Sequence, residues 1–142
     1  MAKWLFKSEP ESWSWDAQKA KGEAGQEWDG VRNYQARNHM RAMQVGDRGF
    51  FYHSGAEKAV VGIVEVIAAA HPESKDATGA WECVDLRAVT DMAEPVTLAR
   101  IKAEKRLKDM VLVGNSRLSV QPVREAEWDV VCAMGGLQSF EI

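Results

Sequence analysis

The chain has 142 residues, 46% hydrophobic and 27% charged, with a formal net charge of −3. That profile fits one globular domain able to bury a core without disulfides or a structural metal, and it excludes a disordered chain. The acidic balance also excludes a protein that coats nucleic acid through a global positive field. The longest apolar run, Ala59 to Ala70, is broken by Glu65. It is too short and too polar to span a bilayer, and no signal-peptide core follows Lys3, so no membrane partner and a cytoplasmic location are expected. Cys83 and Cys132 sit in apolar settings without zinc-type spacing, so both read as reduced core residues and neither a metal nor a cofactor is expected.

Lys3 to Lys7 reads as a first strand, stopped at Ser8-Glu9-Pro10 because proline cannot donate to a ladder. Ser14 is placed to cap a short helix ending by Gly22, and Gly25 to Gly30 reads as a loop carrying Trp28. Ala36, Met40 and Met43 recur at helical spacing and predict a helix over Asn33 to Met43, with Asn33 as its cap. Gly49 to His53 and Val60 to Ala69, joined by a Ser-Gly-Ala-Glu-Lys turn, read as a hairpin. A strand over Trp81 to Val89 and a helix over Leu98 to Leu107, capped by Thr97, follow. Past a turn at Gly114-Asn115, Leu118 to Val123 is a last strand that Pro122 confines to an edge, and Glu125 to Met134 is a helix stopped by Gly135-Gly136. Roughly five or six strands with three or four helices make an α+β domain, a curved or barrel-like sheet flanked by helices. With no repeat or linker, residues 1–142 read as a single domain.

Charge is unevenly spread. From Arg32 to Arg48 the chain carries Arg32, Arg37, Arg41 and Arg48 against Asp47 alone, which suits a small local site. Trp28, in a polar, Gly-bounded loop, has little reason to be core; it is either a stacking wall for a planar base or a lid over a barrel end. A Trp28→Ala change is expected to remove most binding affinity and leave the fold intact. Asn33 and Tyr34 can read a base edge, although capping would occupy the Asn33 acceptor oxygen. Lys7, Ser8 and Glu9 converge at a strand end, as a ligand-facing group or as a plain turn. Arg117 can clamp a phosphate while Ser116 or Ser119 bonds a base or backbone oxygen. Arg37 and Arg41 share one helix face, either solvated or used for phosphate. Trp4, Trp13, Trp15, Trp81 and Trp128 read as packing residues, with Trp81 a possible second aromatic wall. His39 and His71 have no metal partner at useful spacing.

KSEP at Lys7 to Pro10, WDGVRNYQARN at Trp28 to Asn38, MQVGDRGFFYHS ending at Ser54, GIVEV at Gly62 to Val66 and SRLSVQPV at Ser116 to Val123 together resemble the EVE domain family. The resemblance implies a PUA-like curved β-barrel with helices packed round it. It further implies a noncatalytic reader of modified bases in DNA or RNA, related to the YTH readers of methylated adenine. The candidate pocket for such a base comprises Ser8, Glu9, Trp28, Asn33, Tyr34, His53, Ser54, Ser116, Leu118 and Ser119, with Lys7, Arg32, Arg37, Arg41 and Arg117 as candidate phosphate contacts. The partner is then nucleic acid containing a modified base.

A second class of function is a small enzyme, because PUA-like relatives of the ASCH type include amidohydrolases. Lys7, Ser8 and Glu9 would be base, nucleophile and acid, yet three consecutive residues rarely point at one atom. The His53-Ser54 pair is discounted as a dyad because neighbours on a strand face opposite sides.

Overall fold

In the computed structural model, which describes residues 1–138, a six-stranded sheet runs in the order β2-β5-β4-β3-β1-β6. The strands are β1 (Lys3–Ser8), β2 (Gln26–Glu27), β3 (Arg48–His53), β4 (Ala59–Pro72), β5 (Glu82–Thr97) and β6 (Val120–Val123). Five α-helices flank them: α1 (Trp15–Ala20), α2 (Tyr34–Ala42), α3 (Leu98–Ala103), α4 (Val111–Gly114) and α5 (Glu125–Met134). β1 and β3 pair in parallel and every other pair is antiparallel. Register shifts at four places along β4–β5 and one along β3–β4 bend the long strands, the expected effect of inserting residues into one side of a ladder. The resulting sheet is curved and not closed, since β2 and β6 remain its edges.

Both faces of the central strands are covered, so apolar residues fill consecutive positions and sort by period two. Trp4, Phe6 and Phe51 join one core with Trp15 of α1 and Ala36 and Met40 of α2. Leu5, Phe50 and Tyr52 join a second core with Ile101, Leu112, Trp128 and Val131 of α3 to α5. The caps follow the sequence: Ser14, Asn33 and Thr97 accept from the backbone N–H groups of Ala17, Ala36 and Arg100.

Departures have local causes. The stretch expected as a loop at Gly25 to Gly30 contains β2, because Gln26 and Glu27 pair with Leu86 and Asp85. β5 extends past Val89 to Thr97, where Val96 and Thr97 pair with Val60 and Ala59. The helix expected to reach Leu107 stops at Ala103: Glu104 is extended (φ −91°, ψ 112°) and caps a separate 3-10 turn over Lys105–Leu107. The short α4 carries no spacing signal that a sequence reading resolves.

Candidate functional site

A cavity of about 530 Å³ opens where the end of β1, the start of α1 and the chain around β2 meet. β2 places its aromatic wall. The pairing with β5 continues one residue further through the Trp28 N–H to the Val84 carbonyl (2.8 Å), and strand alternation turns the indole inward. Trp28 is 7% exposed and meets Phe6 and Phe51 edge-on at 5.4 and 5.5 Å. This corrects the expectation of a free loop ring whose removal spares the fold: Trp28 belongs to the core and lines the cavity at once. Its indole N–H has no acceptor among the described residues, yet it is not one of the buried atoms lacking a partner. It is therefore left as a free donor at the cavity wall.

Trp13, read from sequence as packing, is a second indole of the cavity. Its N–H is consumed by the Gln18 amide oxygen (2.9 Å), and the Gln18 amide donates in turn to the Leu86 carbonyl (2.9 Å). The two indoles line the space without a ring contact between them among the described residues. No sequence signal marked Trp13, because its role depends on where the Glu9 to Trp13 turn folds back. That turn is closed by the N–H groups of Ser12 and Trp13 on the Glu9 carbonyl.

Of the residues singled out from sequence, Lys7, Ser8, Glu9, Trp28, Arg32 and Ser119 line the cavity. Lys7 Nζ donates to the Ser116 carbonyl (2.8 Å), and burial pulls its pKa below the ordinary lysine range. No carboxylate pairs with it among the described residues, whereas Arg32 is held by Glu73 and Lys75 by Asp29 (3.5 Å). Gly30, at φ 82°, turns the chain so that its N–H reaches Glu73 Oε2 (3.1 Å), and Arg32 grips the same buried carboxylate at 2.8 and 3.1 Å. Arg32 chiefly holds the Glu73 carboxyl below its usual range.

The others stand elsewhere. Asn33 spends its side-chain oxygen on the Ala36 N–H (2.9 Å), and Tyr34 lies exposed against Trp81. His53 accepts the Trp15 N–H at Nε2 (3.0 Å), so its Nδ1–H donates to Glu57 (2.6 Å). The Ser54 N–H donates to the Ser8 carbonyl (2.9 Å), and among the described residues the Ser54 hydroxyl makes no bond to the His53 ring. Leu118 is core, and Ser116 and Arg117 are exposed on the loop before β6. Arg37 donates to the Ala80 carbonyl (3.0 Å), and Arg41 pairs with Glu82.

No nucleophile-base contact forms in the cavity among the described residues. The Ser8 hydroxyl donates to the Trp13 carbonyl (2.6 Å), and Lys7 is turned to Ser116. A cluster of donor atoms with cation-binding chemistry lies on β4 and β5, beside Glu27 of the cavity lining. His71, Cys83 and Asp85 bring donor atoms within 4.8 Å of one another, a proximity that spacing along the chain did not reveal. These groups bond each other and their neighbours: His71 bridges the Pro72 carbonyl (2.9 Å) and Asp85 (2.8 Å), and the Cys83 thiol meets Glu27 (3.6 Å). Burial, reinforced by Glu27, pushes that thiol well above its ordinary range, so it stays protonated.

The family model of the EVE domain matches residues 2–134. Human thymocyte nuclear protein 1 is 36% identical over 163 aligned residues, covering 92% of this chain and 72% of its own length. The crystal structure of protein Atu2648 from Agrobacterium tumefaciens superposes with a TM-score of 0.93 at 59% identity, covering 98% of this chain and 96% of that one. Human THYN1 protein in complex with 5-methylcytosine-containing DNA superposes with a TM-score of 0.87 at 33% identity, covering 97% and 99%. By both sequence and architecture, this chain belongs to the EVE domain family.

Proposed function

We propose that this chain is a noncatalytic module that recognises a modified nucleobase in DNA or RNA by taking the extruded base into the cavity walled by Trp28 and Trp13. The observation that carries this reading is the free indole N–H of Trp28 at the wall of an aromatic cavity. It offers a base-edge acceptor a donor beside a stacking surface, and the human relative in complex with 5-methylcytosine DNA supports the ligand class. Extruding a base costs a few kcal/mol, and stacking returns about 1–3 kcal/mol per base. Lys7, the unpaired cation at the rim, supplies a phosphate contact that relieves its own desolvation. A single added methyl contributes about 1–3 kcal/mol of discrimination, so the expected preference is tens of fold rather than thousands.

The test is titration of the chain with matched single-stranded and duplex DNA and RNA, plain or carrying one modified base such as 5-methylcytosine, at two salt concentrations. Tighter binding of one modified form is expected, with a salt slope that counts the phosphates engaged. Trp28→Phe, which keeps ring packing but deletes the N–H, should weaken that binding several-fold, by one net hydrogen bond of about 1 kcal/mol. Equal affinity for plain and modified ligands throughout the panel, with Trp28→Phe indistinguishable from wild type, overturns the reading.

A further inference from the structure

The surface beside the cavity carries a second group of rings and cations that a base pocket alone does not use. Tyr34 is 65% exposed, the one aromatic among the large apolar side chains left open in the described residues. It stacks on Trp81 with ring centroids 5.0 Å apart and planes at 23°. The Arg37 guanidinium carbon lies 4.8 Å from the Tyr34 centroid and 5.4 Å from that of Trp81. These three separations form a nearly equilateral triangle, so the guanidinium sits beside the pair and not beyond Tyr34. The outer face of the phenol is left open.

The arrangement is fixed from behind. Tyr34 opens α2 directly after its Asn33 cap, and the Trp81 N–H donates to Asp76 Oδ2 (2.9 Å). Arg37 is tied to the Ala80 carbonyl, has no carboxylate partner among the described residues, and keeps a buried Nε without an acceptor. An open aromatic face beside an uncompensated guanidinium suits a nucleobase with its phosphodiester, since every base has a π face and the backbone supplies the anion. The platform is continuous with the cavity: Arg32 lines the cavity, and its guanidinium carbon lies 5.1 Å from the Trp81 centroid.

We propose that Tyr34 and Trp81, with Arg37 beside them, form a stacking platform for the nucleotide next to the one inserted in the cavity, so that the ligand is an unpaired stretch of nucleic acid reaching both places. This rests on the reading of the cavity as a base pocket. It turns recognition of one base into recognition of a base in a strand, because the neighbouring nucleotide adds affinity without needing a particular sequence.

The experiment compares 5-methyl-2′-deoxycytidine monophosphate, a single-stranded oligonucleotide with one 5-methylcytosine, the same strand with abasic positions flanking that base, and the plain strand. Each is titrated against wild type, Tyr34→Ala, Tyr34→Phe and Trp81→Ala, with circular dichroism melts confirming the fold. Tyr34→Ala should bind the modified strand roughly tenfold more weakly and the mononucleotide as wild type does, while Tyr34→Phe retains affinity. Flanking abasic positions should reproduce the loss in wild type and add nothing to it in Tyr34→Ala. Unchanged strand binding in both alanine variants, or an equal loss for the mononucleotide, overturns the platform. If wild type binds modified and plain strands alike and ignores the mononucleotide, the cavity reading fails; the Tyr34 dependence of plain-strand binding then decides the platform by itself.

Discussion

The two faces of this sheet are packed by different rules. On the face covered by α3 to α5, Phe50 and Trp128 stack with centroids 4.0 Å apart, and helices close over them. Trp128 is 1% exposed and its indole N–H is buried without a partner among the described residues. On the face covered by α1 and α2, indole N–H groups are met one by one. Asp47 accepts from Trp4 (3.0 Å), Gln18 from Trp13 (2.9 Å) and Asp91 from Trp15 (2.6 Å), and Trp28 is left over. At the cavity itself Gln18 fixes the Trp13 indole through its N–H, since a buried polar group is kept at low cost only where it finds a partner. The proposed base pocket lies on this side, where Trp28 both joins the core and lines a cavity.

The largest effect should come from opening the sealed side. Trp128→Ala removes a fully buried ring and is expected to cost about 3–5 kcal/mol in urea unfolding, with Trp128→Phe costing less. Under folding conditions neither variant should alter affinity for a modified oligonucleotide. A binding change as large as that of Trp28→Phe would break the separation of the two faces.

A smaller effect tests how tightly the open side is fitted. A Cβ at Gly62 would lie 2.1 Å from Cζ2 of Trp15, so Gly62→Ala must displace the indole and stretch its bond to Asp91. Overpacking of this kind costs about 1–3 kcal/mol. It should also weaken ligand binding, because α1 follows directly on the turn that carries Trp13. Adding Trp15→Leu should make the double variant less costly than the sum of the singles, measured by denaturant midpoints. Strict additivity would mean the two residues do not share that space.

Sequence periodicity made the central strands, the capped helices and the edge position of β6 legible, because each rests on local chemistry: Ser14, Asn33 and Thr97 as caps, Pro122 as a missing donor. The strand ends of the β4–β5 ladder were not legible, since register shifts depend on the partner strand. The same split divides the site. The Lys7-Ser8-Glu9 turn and Trp28 stand out in the chain by composition. Trp13 becomes a wall only through a turn and a glutamine on another element, and the Tyr34-Trp81 stack joins residues whose chain spacing carries no message. Trp28 was legible as a candidate cavity wall and illegible as a core residue, because its burial follows from two residues of β2 that are too few to show an alternation.

The smallest effects are those of pH, and they separate two polar clasps at the end of β4 by sign. Arg32, first, and the Gly30 N–H hold the Glu73 carboxyl below its ordinary range, so the folded chain binds fewer protons there than the unfolded one. That contribution is complete above the ordinary glutamate pKa and is lost as pH falls through the depressed folded value. His71 runs the other way. Its bonds to Asp85, first, and to the Pro72 carbonyl raise its pKa, so its contribution is complete below about pH 6.5 and is lost as pH rises through the raised value. Glu73→Gln should therefore flatten the acid limb of a stability-pH profile, and His71→Asn the limb above neutral onset. Trp128→Phe should lower the whole curve without changing either slope. If Glu73→Gln leaves the acid limb unchanged, the Arg32–Glu73 clasp contributes nothing to holding the chain around Gly30 at the cavity, and the open side must be propped by its aromatic edges alone.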